Sequence, residues 1–289
     1  RSVSRGLGDV YKRQVLINCL SITQFKNNIY GQIYGRLFIV CSIDKRFFVS
    51  FSLSVTFCEN LRSVGDVLMA KKQIKSKQRV ADYGEVYTND REVKAMCDLV
   101  KDETERIDSR FLEPACGNGN FLAEILTRKL GVCKRKYKRS PLDYEKYSVL
   151  AASSIYGVDI LQDNVLDCRR RMFTIWDKQY KAVCKSMCNE QTKEAVKFIF
   201  SRNIVCGNAL TLMTVDENGN DTDIPIVFSE WALITDSQMQ RSDYTFEQLL
   251  KEQEPDKDEQ LSLVSDTPSD EGIFLKKYIT HYRRVQKNG

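Results

Sequence analysis

The sequence predicts an α/β fold built on a doubly wound, mainly parallel sheet, and three observations carry that prediction. An apolar strand, a small-residue turn and an amphipathic helix follow one another without a gap from Phe111 to Leu126. A second apolar strand, Ile155-Tyr-Gly-Val-Asp-Ile160, ends in an acid, and a third, Asn203-Ile-Val-Cys-Gly-Asn-Ala-Leu210, runs into a polar turn. Helical periodicity separates the three, which implies right-handed crossovers and a ligand at the carboxyl ends of the strands.

The first unit has the layout of a nucleotide-cofactor loop. Gly117 and Gly119 allow a tight turn and close approach of a ligand, and the helix that follows presents free N–H groups at its start. The turn departs from the dinucleotide pattern G-x-G-x-x-G, because Leu122 holds the third position and Glu113 precedes the turn. An acid there repels phosphate and suits a cationic ligand. Asp159, at the end of the second strand, is the candidate for a ribose contact. The interval between Gly119 and Asp159 is about twice the roughly 20 residues expected. An additional helix accounts for it: Ser140 is placed as N-cap, Pro141 at the first helical position and Asp143 in the first turn, with Tyr147, Leu150 and Ala151 apolar.

Upstream, Asn89 is a good N-cap for a helix carrying Val93, Met96, Cys97 and Val100. Downstream, a helix spans Asn164 to Tyr180 with a broad apolar face, and another spans Asn189 to Phe200, capped by Asn189. A strand from Ile224 to Trp231 follows a turn at Asn218-Gly219. From about Lys251 to Asp270 the chain turns acidic and aperiodic, the signature of a flexible linker, and Phe274 to Gln286 reads as a short basic helix with His281 at the surface.

The run Leu112-Glu-Pro-Ala-Cys-Gly-Asn-Gly-Asn-Phe121 resembles the first motif of the amino-methylating DNA methyltransferases, D/E-P-A-C-G-S/T-G-x-F, which binds S-adenosylmethionine. The resemblance implies a Rossmann-like, class I S-adenosylmethionine-dependent methyltransferase fold. It implies that Glu113 pairs with the ammonium of the methionine moiety, and that Pro114, Ala115, Cys116, Gly117, Asn118 and Gly119 wrap its carboxylate and the ribose. Asp159 and Ile160 then border the ribose. Gly207-Asn208-Ala209-Leu210 resembles the family's G-D/N-A/S-L motif, so Asn208 and Ala209 border the adenine. Asp82-Tyr-Gly-Glu-Val-Tyr-Thr-Asn-Asp90 resembles the segment G-x-V/Y-F/Y-T-P that closes over the methionine end, placing Tyr87 and Thr88 at the site, with Asn89 where the family has proline. The type implied is the adenine-N6 modification subunit of a restriction-modification system. Its cofactor is S-adenosylmethionine and its substrate double-stranded DNA. Further partners would be a specificity, nuclease or second methyltransferase subunit.

One family motif is missing. Transfer to an exocyclic amine uses N/D/S-P-P-Y/F/W at the end of the fourth strand, where oxygens orient the amine and an aromatic ring stacks on the flipped base. The chain has five prolines, none adjacent to another, so it contains no such tetrad. The nearest occupant is the strand ending in Ser229, Glu230 and Trp231: Ser229 or Glu230 as acceptor from the amine, Trp231 as stacking ring. The alternatives are a tetrad further downstream in a frame cut short, a tetrad on a separate subunit, or cofactor binding without catalysis. A methyltransferase acting on RNA or protein is a further class, because a cofactor loop does not report the acceptor.

The first 68 residues read as foreign to the domain. Ser4 to Gln14 is what one frame of a common transposon-based sequencing adapter encodes. Val15 to Leu68 is rich in Phe, Ser and Ile, without a sustained helical or strand period, as in translated non-coding sequence. Met69 is then the expected start, residues 69–250 the methyltransferase domain, and 251–289 an acidic linker with a basic tail. The apolar runs Leu37 to Cys41 and Phe47 to Phe57 fall short of the roughly 18 to 20 residues of a membrane span.

With 42% hydrophobic and 29% charged residues, the composition is that of a soluble globular protein, expected in the cytoplasm. Ten cysteines without a C-x-x-C, and one histidine, argue against zinc and for reduced core thiols. The net charge of +5 is modest, but Lys71, Lys72, Lys75, Lys77 and Arg79 form a basic leader, and Lys134-Arg-Lys-Tyr-Lys-Arg139 a second cluster. Both are suited to backbone phosphates, with Tyr137 available to stack.

Overall fold

The computed structural model describes residues 35–43, 47–55, 75–76, 78–79, 87–251 and 276–288; the acidic linker falls outside them. Three parallel strands form the centre: β3 (Arg110–Glu113), β4 (Ile155–Asp159) and β5 (Ile204–Cys206). Phe111 stands opposite Ile155 and Glu113 opposite Gly157, while Gly157 stands opposite Ile204 and Asp159 opposite Cys206. The order steps in one direction, so both right-handed crossovers lay their helices on the same face.

The first crossover is α3 (Asn120–Tyr137) followed by α4 (Pro141–Ser153), and the second is α5 (Gln162–Cys184) followed by α6 (Glu190–Asn203). Two shorter helices, α1 (Asp90–Leu99) and α2 (Lys101–Thr104), precede β3. Strand alternation sorts the core: Phe111, Ile155 and Ile204 join Leu122, Ile125, Val165, Met172 and Trp176 of the helical layer. Leu112, Tyr156 and Val158 face the other way, onto Ile226, Phe228 and Phe246. Each such large side chain, fully buried, contributes roughly 1.5–3 kcal/mol of transfer free energy.

The second face is therefore covered by strand, not by returning helices. β8 (Val227–Leu233), β9 (Gln238–Thr245) and β10 (Lys276–His281) form an antiparallel sheet in the order β10-β9-β8, and α7 (Phe246–Lys251) contributes Phe246. Between β5 and β8 a hairpin, β6 (Met213–Val215) and β7 (Asp221–Pro225), turns through Gly219 at φ +82°. Asp216 fixes that turn by accepting the N–H groups of Asn218 and Asn220, both at 2.8 Å.

The helices expected around the central strands form, with caps that mostly agree. Asn89 accepts from Arg91 N at 3.0 Å and Asn189 from Gln191 N at 2.8 Å. Ser140 differs: its hydroxyl donates to Asp143 at 2.6 Å and makes no side-chain cap bond. The C-terminal tail also differs from expectation. Residues 276–281 form strand β10, register-matched to β9 from Lys276↔Asp243 to His281↔Gln238, and only Tyr282–Asn288 is helical, of the tight 3₁₀ kind. Cross-strand pairing with β9 overrides the local helical pattern.

A hairpin from within the first 68 residues extends the sheet. β1 (Gly35–Ile43) and β2 (Phe47–Val55) pair antiparallel, and β2 lies parallel to β3, with Phe47 opposite Arg110 and Val49 opposite Leu112. This corrects the expectation of no strand period: Val49-Ser-Phe-Ser-Leu-Ser-Val55 alternates strictly between apolar and polar.

Two buried charges brace the frame. Lys129 on α3 is fully buried, and its ammonium donates to the carbonyls of Arg106 (2.8 Å), Ile107 (3.2 Å) and Ser109, all in the approach to β3. Burial lowers its pKa to about 7. Glu145 on α4 is 1% exposed and accepts from Tyr180, from Tyr282 at 2.8 Å and from Arg283 at 2.5 Å, tying the C-terminal segment to the helical layer. Among the described residues no helix is long and apolar enough to cross a membrane.

Candidate cofactor site

The site is assembled at the carboxyl ends of β3, β4 and β5. The chain leaves β3 at Glu113, 3% exposed, and turns through Pro114 (half-buried), Ala115 (exposed) and Cys116 (buried) into α3. Gly117 and Gly119 take φ of +52° and +81°, conformations that L side chains adopt at a cost. Gly119 also lacks room: a Cβ there would stand 2.5 Å from Cys168 Sγ and 3.1 Å from Met172 Cε. At Gly117 the nearest neighbour is the Tyr87 ring, 3.2 Å from where a Cβ would sit.

Asp159 joins the three strand ends. Its Oδ2 accepts the Gly117 N–H at 2.8 Å, its Oδ1 accepts the Leu161 N–H at 2.9 Å and the Asn164 amide at 3.2 Å, and its carbonyl accepts the Gly207 N–H at 3.0 Å. Val158 adds a bond from Cys116 N at 2.8 Å. The middle of β4 is also closely packed: a Cβ on Gly157 would stand 3.0 Å from both Cys116 Sγ and Leu122 Cδ1, so those side chains would have to give way slightly. Cys116 lies beside Cys168, and that neighbour together with burial raises its thiol pKa well above the ordinary value, so it is no nucleophile near neutrality.

The upstream segment reaches the same place. Tyr87 donates to Asn164 Oδ1 at 3.2 Å, and the Thr88 carbonyl accepts from Asn120 at 3.0 Å. Lys75 and Arg79, expected to meet phosphates, are paired here with the first two turns of α5: Lys75 with Asp163 (3.0 Å) and Asp167 (3.2 Å), Arg79 with Asp163 (2.6 Å). The Arg79 guanidinium and the Lys75 ammonium hold the Asp163 carboxyl well below the usual carboxylate range. Lys71, Lys72 and Lys77 lie outside the described residues.

Just past β4, Ile160 is half-buried and its carbonyl accepts from the thiol of Cys206, the last residue of β5, at 3.6 Å. Asn208 is half-buried with its amide engaged locally, accepting from Leu210 N and donating to Asp221 Oδ1, both at 3.0 Å. Ala209 packs against the second-face core. Tyr87, Thr88, Glu113, Gly117, Asp159 and Asn208 thus converge on one end of the sheet.

Ser229, Glu230 and Trp231 do not join them. The strand carrying them belongs to the antiparallel sheet and does not stand as a fourth parallel strand, which corrects that expectation. Glu230 pairs with Arg110, the first residue of β3, at 2.5 Å. Trp231 donates to Asn203, immediately before β5, at 2.9 Å and meets Phe198 edge-on at 6.3 Å. Ser229 is fully buried, donating to Asp243 at 2.6 Å and accepting from Arg202 at 3.2 Å. Arg110 and Asn203 mark the amino ends of the strands, whereas the glycine turn sits at the carboxyl ends. The apolar pattern of one strand says nothing about which sheet it enters, and here the side chains pair with Arg110, Asn203 and Asp243.

The second basic cluster is also remote. It ends α3, whose 18 residues span about 27 Å from the turn. Tyr137 stacks on Tyr147 with centroids 4.2 Å apart instead of standing free for a base. Among the described residues no group of acids, cysteines and histidines could hold a metal ion.

Sequence reasoning missed Asn164, which is 1% exposed and links Asp159 to Tyr87, Lys75 and Arg79. An amide five residues after the strand-end acid, beside the core residue Val165, was the available signal. No family model, no curated protein and no solved structure matches the chain. Chemically, acids at the ends of adjacent strands, with backbone N–H groups between them, complement a ligand that carries an amine and vicinal hydroxyls.

Proposed function

We propose that the chain binds S-adenosylmethionine at this strand-end site and serves as the cofactor-binding part of an adenine-N6 DNA methyltransferase of a restriction-modification system. The observation that carries the reading is the clasp from Asp159 to Gly117, which brings the acid of the second strand and the turn of the first into one cradle. The residues fit the cofactor: Glu113 is of the right charge for its ammonium, Asp159 for its ribose hydroxyls, and the two glycines for a backbone that lies close to it. Bound there, the cofactor would supply an activated methyl group. The chain's part is to hold the methionine end under Tyr87 and Thr88 and the adenine near Asn208 and Ala209.

In this reading β5-β4-β3 is one half of a doubly wound, Rossmann-like sheet of the class I methyltransferase type. Acceptor chemistry then comes from outside the cradle, because Ser229, Glu230 and Trp231 are engaged at its opposite end. That placement favours a second reading, a cofactor-binding accessory subunit that makes no transfer by itself and works with a specificity, nuclease or second methyltransferase subunit on double-stranded DNA.

Calorimetric titration with S-adenosylmethionine tests the first half of the proposal, and binding in the micromolar range is expected. Incubation with methyl-labelled cofactor and unmethylated DNA, followed by nucleoside mass spectrometry, tests the second. N6-methyladenine would establish transfer by the chain alone. Cofactor binding without label would establish the accessory reading, and absence of cofactor binding would overturn both.

A further inference from the structure

We infer that Asn164 is a positioning residue that couples Tyr87 to Asp159, so that contact at the methionine end and recognition of the ribose act as one unit; this rests on the cofactor reading above. The primary amide at Asn164 is divided between two kinds of partner. Its oxygen accepts from Lys75 at 2.7 Å, from Tyr87 at 3.2 Å and from Arg79 at 3.3 Å. Its nitrogen donates to Asp159 Oδ1 at 3.2 Å. Donors on the oxygen polarise an amide and strengthen donation from its nitrogen, and at 1% exposure water competes little.

The other oxygen of Asp159 holds the Gly117 N–H, and the edge of the Tyr87 ring lies beside Gly117. Tyr87 therefore reaches the glycine turn twice, directly through its ring and indirectly through Asn164 and Asp159. A ligand that rotates or draws on the Asp159 carboxylate must be felt at the Tyr87 hydroxyl, and a ligand group that presses on Tyr87 must be felt at Asp159. A buried amide that only filled space would be poorly suited to this place, since each of its polar atoms would need a partner merely to offset burial.

A double-mutant cycle reads the coupling. The four proteins are the full chain, Tyr87→Phe, Asn164→Leu and the combination, each checked by thermal melting. The probes are S-adenosylmethionine and 5′-methylthioadenosine, which keeps adenine and ribose but has no methionine carboxylate or ammonium to meet Tyr87. Tyr87→Phe is expected to weaken methylthioadenosine about fivefold in the parent and by less than about twofold in the Asn164→Leu background, as for loss of one hydrogen bond. Equal weakening in both backgrounds, or none in either, overturns the relay while leaving cofactor binding in place. Failure of the parent to bind either probe overturns the cofactor reading itself. Should Asn164→Leu fail to fold, Asn164→Asp keeps the acceptor oxygens and removes the donor. The Tyr87→Phe effect is then expected to vanish in that background, and its persistence overturns the relay.

Discussion

Asp159 accepts the N–H of Gly117 at 2.8 Å across 42 residues of chain, and with the Cys116 N–H to Val158 carbonyl bond, also 2.8 Å, it ties the glycine turn of β3 to the end of β4. Asp159 as a residue is 9% exposed, so it is largely withdrawn from bulk water where the strand ends. The side chain of Asp159 thus helps to set the shape of the turn.

The tightest point of that cradle is Gly119. Gly119→Ala must accept φ +81° and a Cβ 2.5 Å from a buried sulfur on α5, and is expected to destabilise the chain by roughly 2–4 kcal/mol. Gly117→Ala meets only the edge of the Tyr87 ring and is expected to cost less in stability but to weaken cofactor binding. Chemical denaturation and calorimetry on the two variants separate these effects.

Lys129 makes stability depend on pH. Its folded pKa, about 7, lies below the ordinary lysine value, so between about 7 and 10 the unfolded chain binds the proton that the folded chain has released. Stability therefore rises with pH across that window, by up to about 1.4 kcal/mol per unit from this group, and is independent of it below about 7. Burial is the main cause; Asp108, Cys133 and Glu103 work against it, and Arg106 with it. Urea unfolding at pH 6.5, 8 and 9.5 checks the sign, and Lys129→Met should remove the slope.

Glu145 gathers Tyr180, Tyr282 and Arg283 around one buried carboxylate. Glu145→Gln leaves Arg283 facing a neutral amide and is expected to cost about 2–4 kcal/mol. Faster tryptic cleavage at Arg283 and Arg284 should accompany the loss, with cofactor affinity within about twofold of the parent because the hub lies away from the turn.

Glu230→Gln breaks the pair with Arg110, whose side chains are 18% and 22% exposed. A loss of about 1 kcal/mol is expected, with no change in cofactor affinity. A large loss of cofactor binding with unchanged stability would return Glu230 to the functional site.

Contiguity decides what the sequence reveals. The β3 turn and α3 could be read because strand, glycines and helix face lie within one stretch of chain, and Asn89 and Asn189 because a cap acts on its own next residues. The role of Asn164 is harder to read, because three of the residues that define it, Lys75, Arg79 and Tyr87, lie 77 to 89 positions away. Ser229 to Trp231 could be recognised as strand, but Arg110, Asn203 and Asp243 select the sheet and the end where they stand. The tail was misread because the ladder from Lys276 to His281 is supplied by β9, more than thirty residues earlier. The period of two from Val49 to Val55 was present and overlooked.

The bond between Tyr282 and Glu145 spans 137 residues and has a consequence for how the chain is born. The β3–α3–α4–β4–α5–α6–β5 run is made of successive local units that can settle as they leave the ribosome. The hub at Glu145 cannot fill until residue 283 emerges. Until that moment Glu145 has only Tyr180 of its own layer as a partner, and the hub waits for Tyr282, made 137 positions later.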